Sequence, residues 1–256
     1  MVGNGGKKTP PRGSGNTKPK PGEPQKKPNP KPQRVGRVTK KVVPPQGAGR
    51  PRIAKTLPHE DYLATLFNQH VDIIGRTIFL QSVYTSEDGD DESGTDAHMY
   101  ACLMKGMSLL EQQDPKKPIK IVLSTFGGSV YYALAIYNRL KISPCHIVIH
   151  GYGPIMSGGS IIFAAADEGY LAQDASLMIH YVEDTIESMR NQERNSRIKE
   201  INRLDARLIE IYVERIERSG KSADKKLLHA ETDKTLYLTA QQAVRRGFAD
   251  GIITKP

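Results

Sequence analysis

Cysteine is scarce: Cys102 and Cys145 are the only two in 256 residues. Two are too few for a disulfide scaffold and show no metal-ligand spacing, so a reducing, cytoplasmic setting is expected. No apolar run approaches the ~20 residues that a helix needs to span a bilayer, so no membrane partner is expected. The opening stretch, 1–8, lacks the apolar run of a secretory signal. It is also too rich in proline and glycine for the amphipathic helix of a transit peptide. Acidic residues are nearly missing from positions 1–56, where 15 basic residues face a single acid, Glu23. No aromatic residue lies between Met1 and Asp61, so that stretch offers no platform for base stacking.

What is present divides the chain. Residues 1–56 carry a net charge of about +14 (15 basic, one acidic), and 1–58 hold 12 of the 17 prolines. The other 200 residues hold 22 basic and 27 acidic side chains, a net charge of −5. The overall +9 therefore describes the tail and not the body. A segment this polar and charged cannot bury enough apolar surface to offset its ordering entropy, so 1–56 is expected to be disordered. Its Lys-Pro repeats favour extended geometry. One reading makes it a basic arm that touches nucleic acid or another anionic surface weakly, through counterion release; the other makes it a solvated linker. Residues 57–256 are expected to form one domain, long enough to bury a substantial core.

Within the body, apolar runs alternate with helical periods. The pattern predicts helices over 63–67, 98–113, 130–140, 156–166, 195–220 and 240–246. It predicts strands over 76–80, 119–124, 145–150, 170–172 and 176–180, with a closing run at 252–254. The acidic stretch 86–96 reads as a solvated loop. Strand and helix alternate with links long enough for crossovers, which predicts an α/β fold with a mainly parallel sheet. In such folds chemistry sits on the turns that leave the strands.

Two glycine-rich turns occupy that position. Phe126-Gly127-Gly128-Ser129 can cradle an anion, but it lacks the lysine of a phosphate loop, and an oxyanion hole fits at least as well. The stretch Gly151 to Ser160 places Ser157 at the start of a helix beside Gly158, whose N–H can face a developing oxyanion. Ser157 reads either as a helix cap or as a nucleophile. The stretch is not the G-x-S-x-G elbow of other hydrolases. A serine nucleophile needs a base within about 2.6–3.2 Å. His180, ending an apolar strand, is the best candidate, and His150 is its main rival.

Taken in order, these elements resemble the proteolytic subunit of the Clp protease. Arg76-Thr77-Ile78-Phe79-Leu80 is similar to that family's first core strand, and Phe126-Gly127-Gly128-Ser129-Val130 to its PGGSV turn. Gly153 to Gly159 is similar to its nucleophile turn, and Leu177-Met178-Ile179-His180 to its MIH segment. Tyr237-Leu238-Thr239-Ala240, with Gly247-Phe248-Ala249-Asp250, is similar to its C-terminal ending. The likeness spans about 60–254.

The resemblance implies a crotonase-like spiral of ββα units, with Ser157 as nucleophile, His180 as general base, and the Gly128 and Gly158 N–H groups as oxyanion hole. It implies an orienting aspartate before Tyr237. Counting back from that segment gives Thr235, and counting forward from Ser219-Gly220 gives Asp233; Asp233 is the expected acid. It further implies a serine endopeptidase that assembles as a homo-oligomer, a heptameric ring or stacked rings, and acts on unfolded polypeptides supplied by an AAA+ unfoldase. No metal or cofactor is expected. The segment 181–192 is charged and lacks the family's glycine, which weakens the expectation of ring stacking. Thr235 leaves open a non-catalytic subunit of such an assembly. An acyl-CoA enzyme of the crotonase fold and a nucleic-acid binder working through its tail are the remaining alternatives.

Overall fold

In the computed structural model, residues 59–84, 92–183 and 190–254 are described. The basic tail lies outside them, as do 85–91 of the acidic loop and 184–189 of the segment after His180. Helix α1 (His59–Gln69) leads into the short strands β1 (Val71–Asp72) and β2 (Thr77–Gln81). Strands β3 (Val83–Tyr84) and β4 (Glu92–Ser93) form a separate antiparallel pair before α2 (Ala97–Gln113). Then follow β5 (Ile119–Thr125), α3 (Val130–Lys141), β6 (Ile147–Met156), α4 (Gly158–Ala164), β7 (Glu168–Leu171) and β8 (Ser176–Ile179). The chain closes with α5 (Asn191–Arg218), α6 (Lys225–Thr232), β9 (Leu236–Thr239), α7 (Ala240–Arg246) and β10 (Gly251–Ile252). No helix among the described residues is long and apolar enough to cross a membrane.

The main sheet runs β1-β2-β5-β6-β7-β10, with β8 paired to both β6 and β9. Five pairings are parallel and two, β1·β2 and β8·β9, are antiparallel. This is the α/β fold with a mainly parallel sheet that the alternation predicts. Strand β5 shows why: Ile119, Ile121, Leu123 and Thr125 are buried at every second position, as a period-two strand requires. The period of α2 places Met99, Cys102, Leu103, Gly106, Met107 and Leu110 on one buried face. Asp96 caps that helix, its carboxylate accepting from Met99 N–H at 2.8 Å. Helix α4 is buried throughout. Its small residues suit a helix surrounded by other elements.

Three expectations need correction. The third strand does not stop at His150; β6 continues through the glycines to Met156. Its first half pairs with β7 and its second half with β8. Against β5 the register slips, since Leu123 faces Gly151 while Thr125 faces Ile155. Two extra residues are thus accommodated on β6, where Gly153 takes φ +64°. Second, the acidic loop is not all solvated surface: Thr95 is fully buried and clamps the first glycine turn, as described below. Third, a helix (α6) and a strand (β9) occupy 225–239, where none was expected.

Helix α5 starts at Asn191 and not at 195. Its buried residues begin only at Leu204, and nothing in 191–203 is buried. The lower half of α5 is anchored by Arg215, whose side chain is 1% exposed. It donates to Phe248 O at 3.2 Å and to Asp250 Oδ2 at 2.6 Å. Asp250 Oδ2 also accepts from Gly169 N–H at 2.6 Å, so one carboxylate ties α5, β7 and the C-terminal segment together.

Candidate active site

Strands β5, β6 and β8 run parallel and side by side, so their carboxyl ends open onto one edge of the sheet. Each end carries one element of the site: the glycine turn 126–129 after β5, Ser157 after β6 and His180 after β8. Register does the positioning. Met156 pairs with Met178, and Ser157 N–H donates to Met178 O at 2.9 Å. The two side chains that follow therefore emerge as neighbours. Ser157 Oγ and His180 Nε2 are 2.7 Å apart.

Ser157 sits at φ +50°, ψ −119°, between a strand and a helix. A side chain pays about 1–3 kcal/mol for such a conformation, which persists only where packing enforces it. The sequence lacks the G-x-S-x-G pattern, yet the backbone makes the same kind of sharp strand–serine–helix turn. Ser157 stands at the cap position of α4 but makes no side-chain cap bond; its hydroxyl points to the imidazole instead. Ser160 is occupied elsewhere, buried between Ser157 O at 2.6 Å and Tyr212 OH at 2.7 Å.

The glycine turn packs directly on the serine. A Cβ on Gly127 (φ +111°) would lie 2.5 Å from Ser157 Cβ, so only glycine fits. Thr95 holds this turn: its N–H donates to Gly127 O at 2.7 Å, and its carbonyl accepts from Ser129 N–H at 2.9 Å. This parallel bridge leaves the N–H of Gly128 directed away from Thr95. Among the described residues neither Gly128 N–H nor Gly158 N–H has an acceptor. Both residues line the cleft of about 220 Å³ that also holds Ser157 and His180. Val130, Ile161 and Leu208 give it apolar walls. Thr95 carries no signal in the sequence, because its role depends on an isolated bridge 33 positions away in the chain.

The other face of the imidazole departs from expectation. His180 Nδ1 lies 3.1 Å from Glu183 Oε1, where the sequence pointed to Asp233. Asp233 ends α6, donating its N–H to His229 O at 3.1 Å. Among the described residues it makes no hydrogen bond to His180. Thr235 follows in a left-handed conformation, φ +58°. His180 is mostly shielded (16% exposed), whereas Glu183 is 82% exposed.

The segment between them is pinned. Val182 N–H donates to Asp205 Oδ1 at 2.9 Å, and Tyr181 OH pairs with His229 Nδ1 at 2.5 Å. Burial raises the Asp205 carboxyl above its usual range, while the Val182 N–H and the nearby imidazoles of His180 and His229 pull it back. Burial, with the charges of Asp205 and Asp233, pushes the Tyr181 phenol up. His150 lies elsewhere, on β6, packed edge-on against Tyr170 at 5.8 Å. Burial, then the charge of Lys120, pushes its imidazole down.

A hydroxyl bonded to an imidazole, beside two main-chain N–H groups without acceptors among the described residues, is an arrangement that suits nucleophilic attack by a serine. Residues 91–256 match the family described as Clp protease. The chain belongs to that family. It is similar to the ATP-dependent Clp protease proteolytic subunit 2 of Mycolicibacterium paratuberculosis, 30% identical over 155 residues, which is 57% of this chain and 72% of the relative. It is also similar to the ATP-dependent Clp protease proteolytic subunit 1 of Chlamydia pneumoniae, 28% identical over 187 residues, 71% of this chain and 92% of the relative.

Proposed function

We propose that the chain is a serine endopeptidase subunit of a Clp-type protease, with Ser157 as nucleophile, His180 as general base, and the Gly128 and Gly158 N–H groups as oxyanion hole. The observation that carries this reading is the 2.7 Å contact between Ser157 Oγ and His180 Nε2. The imidazole takes the hydroxyl proton as Oγ attacks the scissile carbonyl. The two N–H groups receive the oxygen as it gains charge. Protonated His180 then passes its proton to the leaving amine. Water, activated by the same imidazole, releases the acyl group. The subunit works in a homo-oligomeric ring with an AAA+ unfoldase as partner and unfolded polypeptide as substrate, in the cytoplasm, and the basic tail contacts nucleic acid or another anionic surface weakly.

In this scheme Glu183 holds Nδ1 in place of Asp233, and Asp205 fixes the backbone between them. An exposed pair of this kind contributes about 0.2–1 kcal/mol. That is far less than a buried triad acid, whose loss costs about 10⁴-fold in rate. Glu183→Gln is therefore expected to lower kcat about two- to fivefold with KM little changed, and Asp233→Asn to leave both within error. A thousandfold loss in Asp233→Asn alone would return the orienting role to that residue.

A non-catalytic subunit is the alternative, and the lack of an Asp233–His180 hydrogen bond among the described residues favours it. Turnover of fluorogenic peptides by the purified full chain decides between them. Hydrolysis is expected; a well-assembled protein with no turnover of peptides or of activated peptide esters would favour the alternative.

A further inference from the structure

Between the end of α1 and the first turns of α2, three ligand-bearing side chains converge that the proposed reaction does not use. His98 and Cys102 stand four residues apart on α2, and so on one face of that helix. His70 comes from the junction between α1 and β1. One ligand atom from each of the three lies within 4.8 Å of the other two. Cys102 Sγ is 3.8 Å from His98 Nε2, and the two imidazoles meet edge to face with centroids 6.0 Å apart. We propose that His70, His98 and Cys102 form a three-ligand site for a zinc(II) ion, with solvent in the fourth position.

The donor set decides the metal. One thiol and two imidazoles, with no carboxylate among them, suit a borderline-soft ion and not magnesium or calcium. Zinc holds nitrogen at about 2.0–2.1 Å and sulfur at about 2.3 Å, which sets tetrahedral ligands about 3.3–3.6 Å apart. The His98–Cys102 pair, at 3.8 Å, is close to that spacing, His70 lies within 4.8 Å, and the exposed side of His98 faces solvent. Cys102 is only 8% exposed. A void of about 20 Å³, lined by all three residues, is close to the size of one water.

His70 is held ready at φ +55°, its carbonyl accepting from Phe79 N–H at 2.9 Å. Binding breaks the Cys102 S–H bond and forms Zn–S; the proton leaves to solvent, and each imidazole donates a ring-nitrogen lone pair. The ion would clip the end of α1 to α2, joining the N-terminal helix to the body.

The test uses the full chain prepared without affinity histidines, stripped with chelator and dialysed against zinc. About one zinc per chain is expected. Cobalt(II) in its place should give a thiolate-to-cobalt charge-transfer band. His98→Ala, an exposed substitution, and Cys102→Ser, a near-isosteric one, should each abolish stoichiometric uptake and the band while the circular dichroism spectrum is unchanged. His146→Ala, at a separate histidine, should leave uptake intact. Sub-stoichiometric zinc in the wild-type chain, a cobalt spectrum without the thiolate band, or undiminished uptake in His98→Ala would each overturn the site.

Discussion

Ser157→Ala is expected to lower peptide turnover by at least about 10⁴-fold while the protein still folds and assembles. Removing the nucleophile of a serine hydrolase leaves only binding and oxyanion stabilisation, and losses near 10⁶-fold are known for such changes. The structural cost is small by comparison. Among the described residues the serine hydroxyl bonds only to His180, whereas its backbone N–H is held by Met178 O, and alanine keeps that bond. Alanine meets the same strain at φ +50° as serine does. Stability should therefore move by about 1 kcal/mol or less, in the range of a single lost hydrogen bond. Steady-state hydrolysis of a fluorogenic peptide, run beside sedimentation velocity, separates the two effects. Turnover retained within tenfold would remove Ser157 from the nucleophile position.

Arg215→Ala should have the largest effect on stability. The guanidinium is 1% exposed and bonded to both Phe248 O and Asp250. Among the described residues its loss leaves the Asp250 carboxylate with the Gly169 N–H, and it opens space beside Gly169, which the guanidinium now borders. Breaking a fully buried pair by removing one partner costs about 3–5 kcal/mol; here Arg215 is buried but Asp250 is 27% exposed, so the loss should fall at or below the lower end of that range. The effect should reach the active site indirectly, because β7 is the partner of the first half of β6. Denaturant titration measures it through the shift of the midpoint. A loss below about 1 kcal/mol would mean that the cation does not carry the junction. Replacing both members, Arg215→Met with Asp250→Asn, should recover part of the loss, since no unpaired charge then remains.

Reading from sequence worked where a signal is local. Alternation along β5, the apolar face of α2 and the run ending at His180 are each contained in a few residues, and each forms as expected. Ser157 and His180 were legible because each follows a strand, and parallel neighbours end at the same edge. What escaped depends on partners distant in the chain. Gly151, Gly153 and Pro154 read as a turn because their propensities favour one, yet pairing of Gly151 with β5 and β7 and of Pro154 with β8 keeps the stretch in β6. Thr95 is an ordinary residue whose importance comes from the turn it holds. The family resemblance points to Asp233 beside Thr235 as the partner of His180 Nδ1, while Glu183, from just after the histidine, lies 3.1 Å from it. Spacing along the chain likewise hides His70 from His98 and Cys102, because β1, β2, β3 and β4 intervene.

Labelling by a fluorophosphonate probe, located by peptide mass mapping, tests the central claim most directly, because phosphonylation requires a serine activated by a neighbouring base. The account predicts one label per chain, on Ser157, lost in both Ser157→Ala and His180→Ala. A folded, assembled protein that takes no label, or that carries it on another serine such as Ser160, would contradict it.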